Sequence, residues 1–171
     1  LTVAVDPERR IGDISPMLYG TNLVPQMESE ADIIEFVKET GIVFFRFPGG
    51  GSPGYHWKES TFDFTNRFDK APFRDINYVV EFCKITGARL VAQVNVESGT
   101  PEEAAEWVAY MRDKLDFPIL YWELGNEVYG DWDKGYMDGK KYAALIEKYA
   151  IAMKKADPNI KIGVDWAPET R

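Results

Sequence analysis

From about residue 30 onward, apolar positions recur with two alternating periods. Ile33, Phe36 and Val37 stand at helical spacing behind Ser29, a candidate N-cap with Asp32 three positions on, and Gly41 ends the run. Residues 42–47 are then apolar except for Arg46, the pattern of a parallel strand buried on both faces. Ile76, Val79, Val80 and Cys83 mark a second helix closed by Gly87, and residues 90–94 a strand ending at Asn95. Thr100-Pro101-Glu102-Glu103 predicts a helix start with a capped first turn, a proline where its missing N–H costs nothing, and Glu103 completing a capping box. Ala104, Trp107, Val108, Met111 and Leu115 continue that helix. Residues 119–124 form a β-prone run that delivers Asn126 and Glu127 to its end. Tyr142, Leu145, Ile146, Tyr149 and Met153 stripe a fourth helix stopped at Asp157-Pro158, and residues 160–164 lead to Asp165 and Trp166.

The part before this pattern is weaker. Residues 1–5 alternate loosely, Asp6-Pro7-Glu8 is a turn signal, and residues 11–14 are expected to pair back as a hairpin. Residues 1–15 thus read as an attachment segment and residues 16–171 as the main domain, whose first strand falls within 17–21. Five strands alternating with four helices predict an α/β fold with a parallel sheet and right-handed crossovers. The alternation leaves two architectures open: a doubly wound open sheet, or part of a (β/α)8 barrel.

Composition narrows the partners. The formal net charge is -8 and the pI about 4.8, so neither nucleic acid nor an anionic membrane is expected as a partner, because both would be repelled. No apolar run reaches membrane-spanning length. Any secretion signal is expected to have been removed already, with an extracellular or periplasmic location favoured over a cytoplasmic one. Aromatic residues make up 14% of the chain, enough to fill a core and still leave rings for stacking on sugar faces. Cys83, the single cysteine, falls on an apolar helix face and reads as packing. With His56 as the single histidine, neither a histidine-based triad nor a multi-histidine metal site can be built; no metal or cofactor is expected.

In either architecture, ligands bind at the C-terminal ends of the strands. Those ends offer Asn22, then Arg46 with Gly49 and Gly50, then Asn95, then Asn126 and Glu127, then Asp165 and Trp166. Polar and aromatic groups from five strands suit a neutral polyol such as a carbohydrate. Glycosidic cleavage needs two carboxyl groups, and Glu127 can be one. Glu123, four residues earlier, has the same strand parity one layer deeper, where it is expected to pair with Arg46. Glu97 and Glu169 read as solvated loop charges. Trp57, Tyr129, Trp132 and Trp166 are candidate sugar platforms.

The stretch Tyr121-Trp122-Glu123-Leu124-Gly125-Asn126-Glu127-Val128-Tyr129-Gly130 resembles the acid/base strand of the clan of (β/α)8-barrel retaining glycoside hydrolases, nearest to the family 51 α-L-arabinofuranosidases. Phe45-Arg46-Phe47-Pro48-Gly49-Gly50, Gly54-Tyr55-His56-Trp57, the run 94–103 and the run 153–162 extend the likeness in order along the chain. The resemblance implies the first five strands and four helices of a barrel, incomplete in this chain. It implies Glu127 as general acid/base, Asn126 holding the sugar 2-hydroxyl, Asn95 contacting substrate, and Arg46 close to the nucleophile. The nucleophile itself is expected on a later strand outside these residues. The implied partners are a carbohydrate and the C-terminal half of the barrel, from the same or a second chain. One family feature is missing: an acidic residue after the first strand, which would fall near Val24.

Two other readings compete. One is a noncatalytic carbohydrate-binding half-barrel. The other takes Gly49-Gly50-Gly51-Ser52-Pro53-Gly54, which satisfies G-x-G-x-x-G, as a nucleotide site; that requires a helix opening within the glycine run.

Overall fold

The computed structural model describes residues 2–23, 30–51, 54–62, 75–131 and 135–167. In chain order it contains β1 (Gly20–Asn22), α1 (Glu30–Thr40), β2 (Phe44–Phe47), β3 (Tyr55–His56), β4 (Thr61–Phe62), α2 (Ile76–Thr86), β5 (Arg89–Val94), α3 (Pro101–Asp113), β6 (Tyr121–Leu124), α4 (Gly139–Ala156) and β7 (Lys161–Val164). β1, β2, β5, β6 and β7 form one parallel sheet, paired in that order, while β3 and β4 make a small antiparallel hairpin. A doubly wound sheet reverses its order at a switch point; here every strand adds to the same edge, as in a barrel wall.

The strand period of two separates the sheet into unlike faces. Phe45, Phe47, Leu90, Ala92, Val94, Trp122 and Leu124 are buried against the helices. Trp107 of α3 meets Trp122 edge-on at 5.4 Å, and Phe45 lies 5.6 Å from Phe82 of α2. Helix α3 packs along α4 and α1 against α2, and the Tyr110 hydroxyl donates to Asn77 Oδ1 at 2.8 Å, so the helices form one layer. Cys83 is buried within it, and burial pushes its thiol up to about 12. Phe44, Arg46, Val91, Gln93, Tyr121, Glu123 and Gly163 lie on the other face, which is open: a groove of about 440 Å³ runs over Phe44, Val91, Tyr121, Glu123 and Gly163. The run 42–47 is therefore fully buried on one face only; on the other, Phe44 and Arg46 are half-buried and a groove stays open.

The helix ends follow local chemistry. Asp75 caps α2 through Tyr78 N at 2.8 Å, Gly87 closes it at φ 73°, and Asp138 caps α4 through Lys140 N and Lys141 N at 2.9 and 2.8 Å. Thr100 Oγ1 accepts from Glu103 N at 3.1 Å, half of the expected capping box; the Glu103 carboxylate instead faces His56 Nδ1 at 3.1 Å. Ser29 lies outside the described residues.

Two expectations fail near the N-terminus. Pro16–Leu18 is a 3-10 turn capped by Ser15, so the first strand starts only at Gly20. The hairpin expected over 1–5 and 11–14 is not formed: residues 2–15 contain no strand, and Val3 and Ile11 are 77% and 94% exposed. A two-strand ribbon without a packed face is marginal in water, and no described residue supplies that face.

Candidate active site

The C-terminal ends of β2, β5 and β6 converge on one polar cluster. Arg46 sits at its centre. Its Nε donates to Glu123 Oε2 at 2.6 Å, its Nη2 to Asn126 Oδ1 at 2.9 Å and its Nη1 to Asn22 Oδ1 at 3.5 Å. Register explains the meeting: Asn22 stands opposite Arg46 on the neighbouring strand, while Glu123 stands opposite Gln93 on β5. A half-buried carboxylate without a counter-ion would be costly, and the guanidinium offsets that cost for Glu123. An open groove of about 440 Å³ runs beside Arg46, lined by Gly20, Thr21, Asn22, Phe44 and Val91.

Strand parity does not continue past Leu124. Gly125 has φ 86° and Glu127 φ 54°, so the chain turns left-handed twice within three residues. At Gly125 a side chain is excluded: a Cβ would lie 2.8 Å from Val128 Cγ1 and 3.0 Å from Val96 Cγ2. Glu127 has no such exemption; a non-glycine residue at positive φ is strained, by on the order of 1–3 kcal/mol, and such strain concentrates at functional sites. The turn is held by Gly130 N on Glu127 O at 2.8 Å and by Val128 N on Asp165 Oδ2 at 3.2 Å. It leaves Glu127 exposed and carries the Asn126 amide back onto Arg46. The expectation that Glu127 follows Glu123 by simple alternation is corrected accordingly.

Asp165 follows β7 and clamps that turn from the neighbouring strand. Burial raises its carboxyl above the ordinary value; the Val128 N–H opposes this, the charge of Glu123 adds to it, Arg46 opposes and Glu127 adds. Tyr142 of α4 fastens both strand ends, donating to Leu124 O at 2.6 Å and accepting from Asp165 N at 2.9 Å. Its burial pushes the phenol up to about 12.

Other expected site residues are placed elsewhere. Asn95 is buried with its amide committed to its own loop: Oδ1 accepts from Glu97 N and Ser98 N at 3.0 and 3.1 Å, and Nδ2 donates to Ser98 Oγ at 2.8 Å. That shapes the β5 loop and withdraws the amide from a ligand. Trp57 is 7% exposed, stacked on Trp107 at 6.0 Å, with its indole N–H on Glu103 O at 3.1 Å; it is wall packing, not a platform. Trp166 and Tyr129 are 80% and 41% exposed. Trp132 and Glu169 lie outside the described residues. Glu97 is not a solvated loop charge: it is partly buried, and Gly135 sits so close that any Cβ there would overlap its carboxyl group. Gly49 needs its glycine for φ 71°, whereas Gly50 faces open space and its expected supporting role has no steric basis. The glycine run holds only the three-residue 3-10 turn Gly49–Gly51, and the next described element is the β3–β4 hairpin, so the nucleotide reading lacks the α-helix it requires. Among the described residues no cluster of His, Cys, Asp or Glu suits a metal ion, and no helix is long and apolar enough to cross a membrane.

Sequence reasoning missed Gln93, fully buried on β5 with Nε2 donating to Asn126 Oδ1 at 3.3 Å. Its signal was present: one amide inside the apolar run 90–94, with the parity of Asn95.

No family model matches the chain. It is 27% identical over 208 residues to a probable α-L-arabinofuranosidase C of Aspergillus fumigatus, covering 94% of this chain and 40% of that protein. It is 25% identical to an intracellular exo-α-(1→5)-L-arabinofuranosidase of Streptomyces lividans, covering 92% of this chain and 31% of the relative. A crystal structure of an arabinofuranosidase superposes with TM-score 0.70 at 26% identity, covering 94% of this chain and 42% of the other. The family 51 α-L-arabinofuranosidase of Thermotoga petrophila gives TM-score 0.64 at 26% identity over 85% of this chain and 39% of its own. The chain thus spans about two fifths or less of these proteins' lengths. Its homologues are α-L-arabinofuranosidases, and its five-stranded α/β sheet is consistent with the N-terminal part of a barrel glycoside hydrolase.

Proposed function

We propose that this chain supplies the acid/base half of the active site of a retaining glycoside hydrolase that acts on α-L-arabinofuranosides of plant-type polysaccharides or oligosaccharides. The observation that carries this reading is the strained, exposed Glu127 beside an Asn126 held by Arg46 and Gln93, at the strand ends where such barrels bind ligands. The arabinofuranosidase homologues supply the substrate class.

In this reading protonated Glu127 donates to the glycosidic oxygen as the bond to the anomeric carbon breaks. The resulting carboxylate then takes a proton from the water that releases the sugar. Asn126, its oxygen occupied by Arg46, offers its N–H edge to the sugar 2-hydroxyl, a contact that strengthens as positive charge develops on the ring. The nucleophile comes from a later strand, beyond these residues, and the C-terminal half of the barrel closes over the open face of the sheet. Exposed Trp166 and Tyr129 are the rings placed to stack on sugar outside the reacting position.

The test is leaving-group dependence in the intact enzyme. Glu127→Gln is expected to lose about 10²–10⁴-fold in kcat on unactivated arabinosides and far less on aryl arabinosides whose phenol leaves unaided. Azide is expected to restore turnover of the aryl substrates. Equal loss on both substrate types contradicts the acid role. Tight binding of arabino-oligosaccharides without any turnover by the intact protein favours the noncatalytic half-barrel instead.

A further inference from the structure

We infer that Gln93 is a positioning residue that locks the Asn126 amide with its N–H edge toward the sugar; the inference rests on the functional reading above. A guanidinium can only donate, so Arg46 Nη2 at 2.9 Å fixes which end of the Asn126 amide is oxygen. Gln93 Nε2 reaches that same oxygen at 3.3 Å from a different strand. Two donors converging from β2 and β5 hold the planar group against rotation. Its Nδ2 is then the edge left for a ligand hydroxyl.

Arg46 alone is a poor lock. It also serves Glu123 at 2.6 Å and Asn22 at 3.5 Å, so its position follows the carboxylate at least as much as the amide. Gln93 is not divided in this way. It is fully buried, and its Oε1 has no hydrogen-bond partner among the described residues. The bond to Asn126 is therefore the one polar tie that gives this buried amide an orientation. Turning Gln93 over would set oxygen against oxygen; turning Asn126 over as well would set an N–H group against the Arg46 cation. Arg46 decides the sense of both amides, and Gln93 removes the remaining freedom of Asn126.

A residue kept for stability predicts the opposite response to substitution. Gln93→Leu keeps the volume, removes the donor and also removes the unpaired buried acceptor. In the intact enzyme we expect Gln93→Leu to leave the melting temperature unchanged or raised. We expect kcat on an aryl α-L-arabinofuranoside to fall about tenfold with KM little altered. On the 2-deoxy analogue of that substrate the variant should match the parent, because the contact that Asn126 makes is already gone. In an Asn126→Ala background Gln93→Leu should cost nothing further. Independent, multiplicative losses in that cycle, or an unchanged kcat in Gln93→Leu, overturn the inference. Should Gln93→Leu fail to fold, Gln93→Met is read in the same cycle. If the parent enzyme cleaves no arabinofuranoside, the functional reading falls by itself. The crystal structure of Gln93→Leu then decides the positioning: an Asn126 amide still ordered in its parent orientation overturns it, and a rotated or doubly placed amide supports it.

Discussion

Asp165 shows how one side chain can shape a neighbouring turn from a different strand. Its Oδ2 holds Val128 N, one residue past the strained Glu127, so it braces the turn that presents the carboxylate. The same position burdens it with burial and with the charges of Glu123 and Glu127, which raise its carboxyl above the ordinary value. The folded chain therefore keeps this proton at pH values where the unfolded chain has lost it. Stability falls as pH rises from the ordinary aspartate value to the raised one, and the penalty is constant above it. Asp165→Asn keeps an acceptor for Val128 and removes the titration. Urea midpoints taken from about pH 4 to about pH 7 should show the variant gaining on the parent across that window and then running parallel. A constant difference at every pH contradicts this account. The residues that sequence reasoning misplaced share one cause. Asn95 and Trp57 have the right chemistry for sugar binding, but their own loop and the α3 wall consume it. Which partner a side chain finds first is not written in its type.

At the level of elements, helix α3 tests how far local signals carry. Thr100 caps its first turn through Glu103 N at 3.1 Å, and Thr100→Ala is expected to cost about 1 kcal/mol in chemical denaturation. The second half of the capping box did not form, since Glu103 faces His56 in the β3–β4 hairpin. A cost well above that of a lost cap would show that Thr100 also supports the hairpin. Every main-sheet strand and every α-helix among the described residues was legible from periodicity and caps, because those interactions join residues a few positions apart. Boundaries drifted where a specific dihedral intervened. Pro16 turned the start of the first expected strand into a 3-10 turn, and Gly125 ended β6 before parity could reach Glu127.

For the whole molecule, the sheet buries one face and leaves the other partly open, with β1 and β7 as its outer strands. Phe44, Val91 and Tyr121 line the open face, and among the described residues no strand pairs beyond β1 or β7. The 171-residue chain by itself is expected to self-associate at micromolar concentration and to bind a hydrophobic dye. Sedimentation velocity checks this: a single monomeric boundary with no dye binding contradicts an open face in solution. Phe44→Lys on that face should shift the distribution toward monomer.

By itself the sequence determined the order and kind of the main-sheet strands and the α-helices and the presence of polar groups at the strand ends, because hydrophobic period and end-capping are settled within one or two turns of chain; the β3–β4 hairpin carried no such pattern. Periodicity alone left a singly and a doubly wound sheet open, since crossovers of similar length serve both; the resemblance carried by residues 121–130 implied the barrel, and the strand order agrees with it. The network around Asn126 was left to the tertiary structure. Arg46, Gln93 and Asn126 are separated by 33 to 80 positions, and only strand register with the left-handed turn after Leu124 brings them within hydrogen-bonding distance. Local pattern said that Glu127 would stand at a strand end; packing decided how it is presented and what surrounds it.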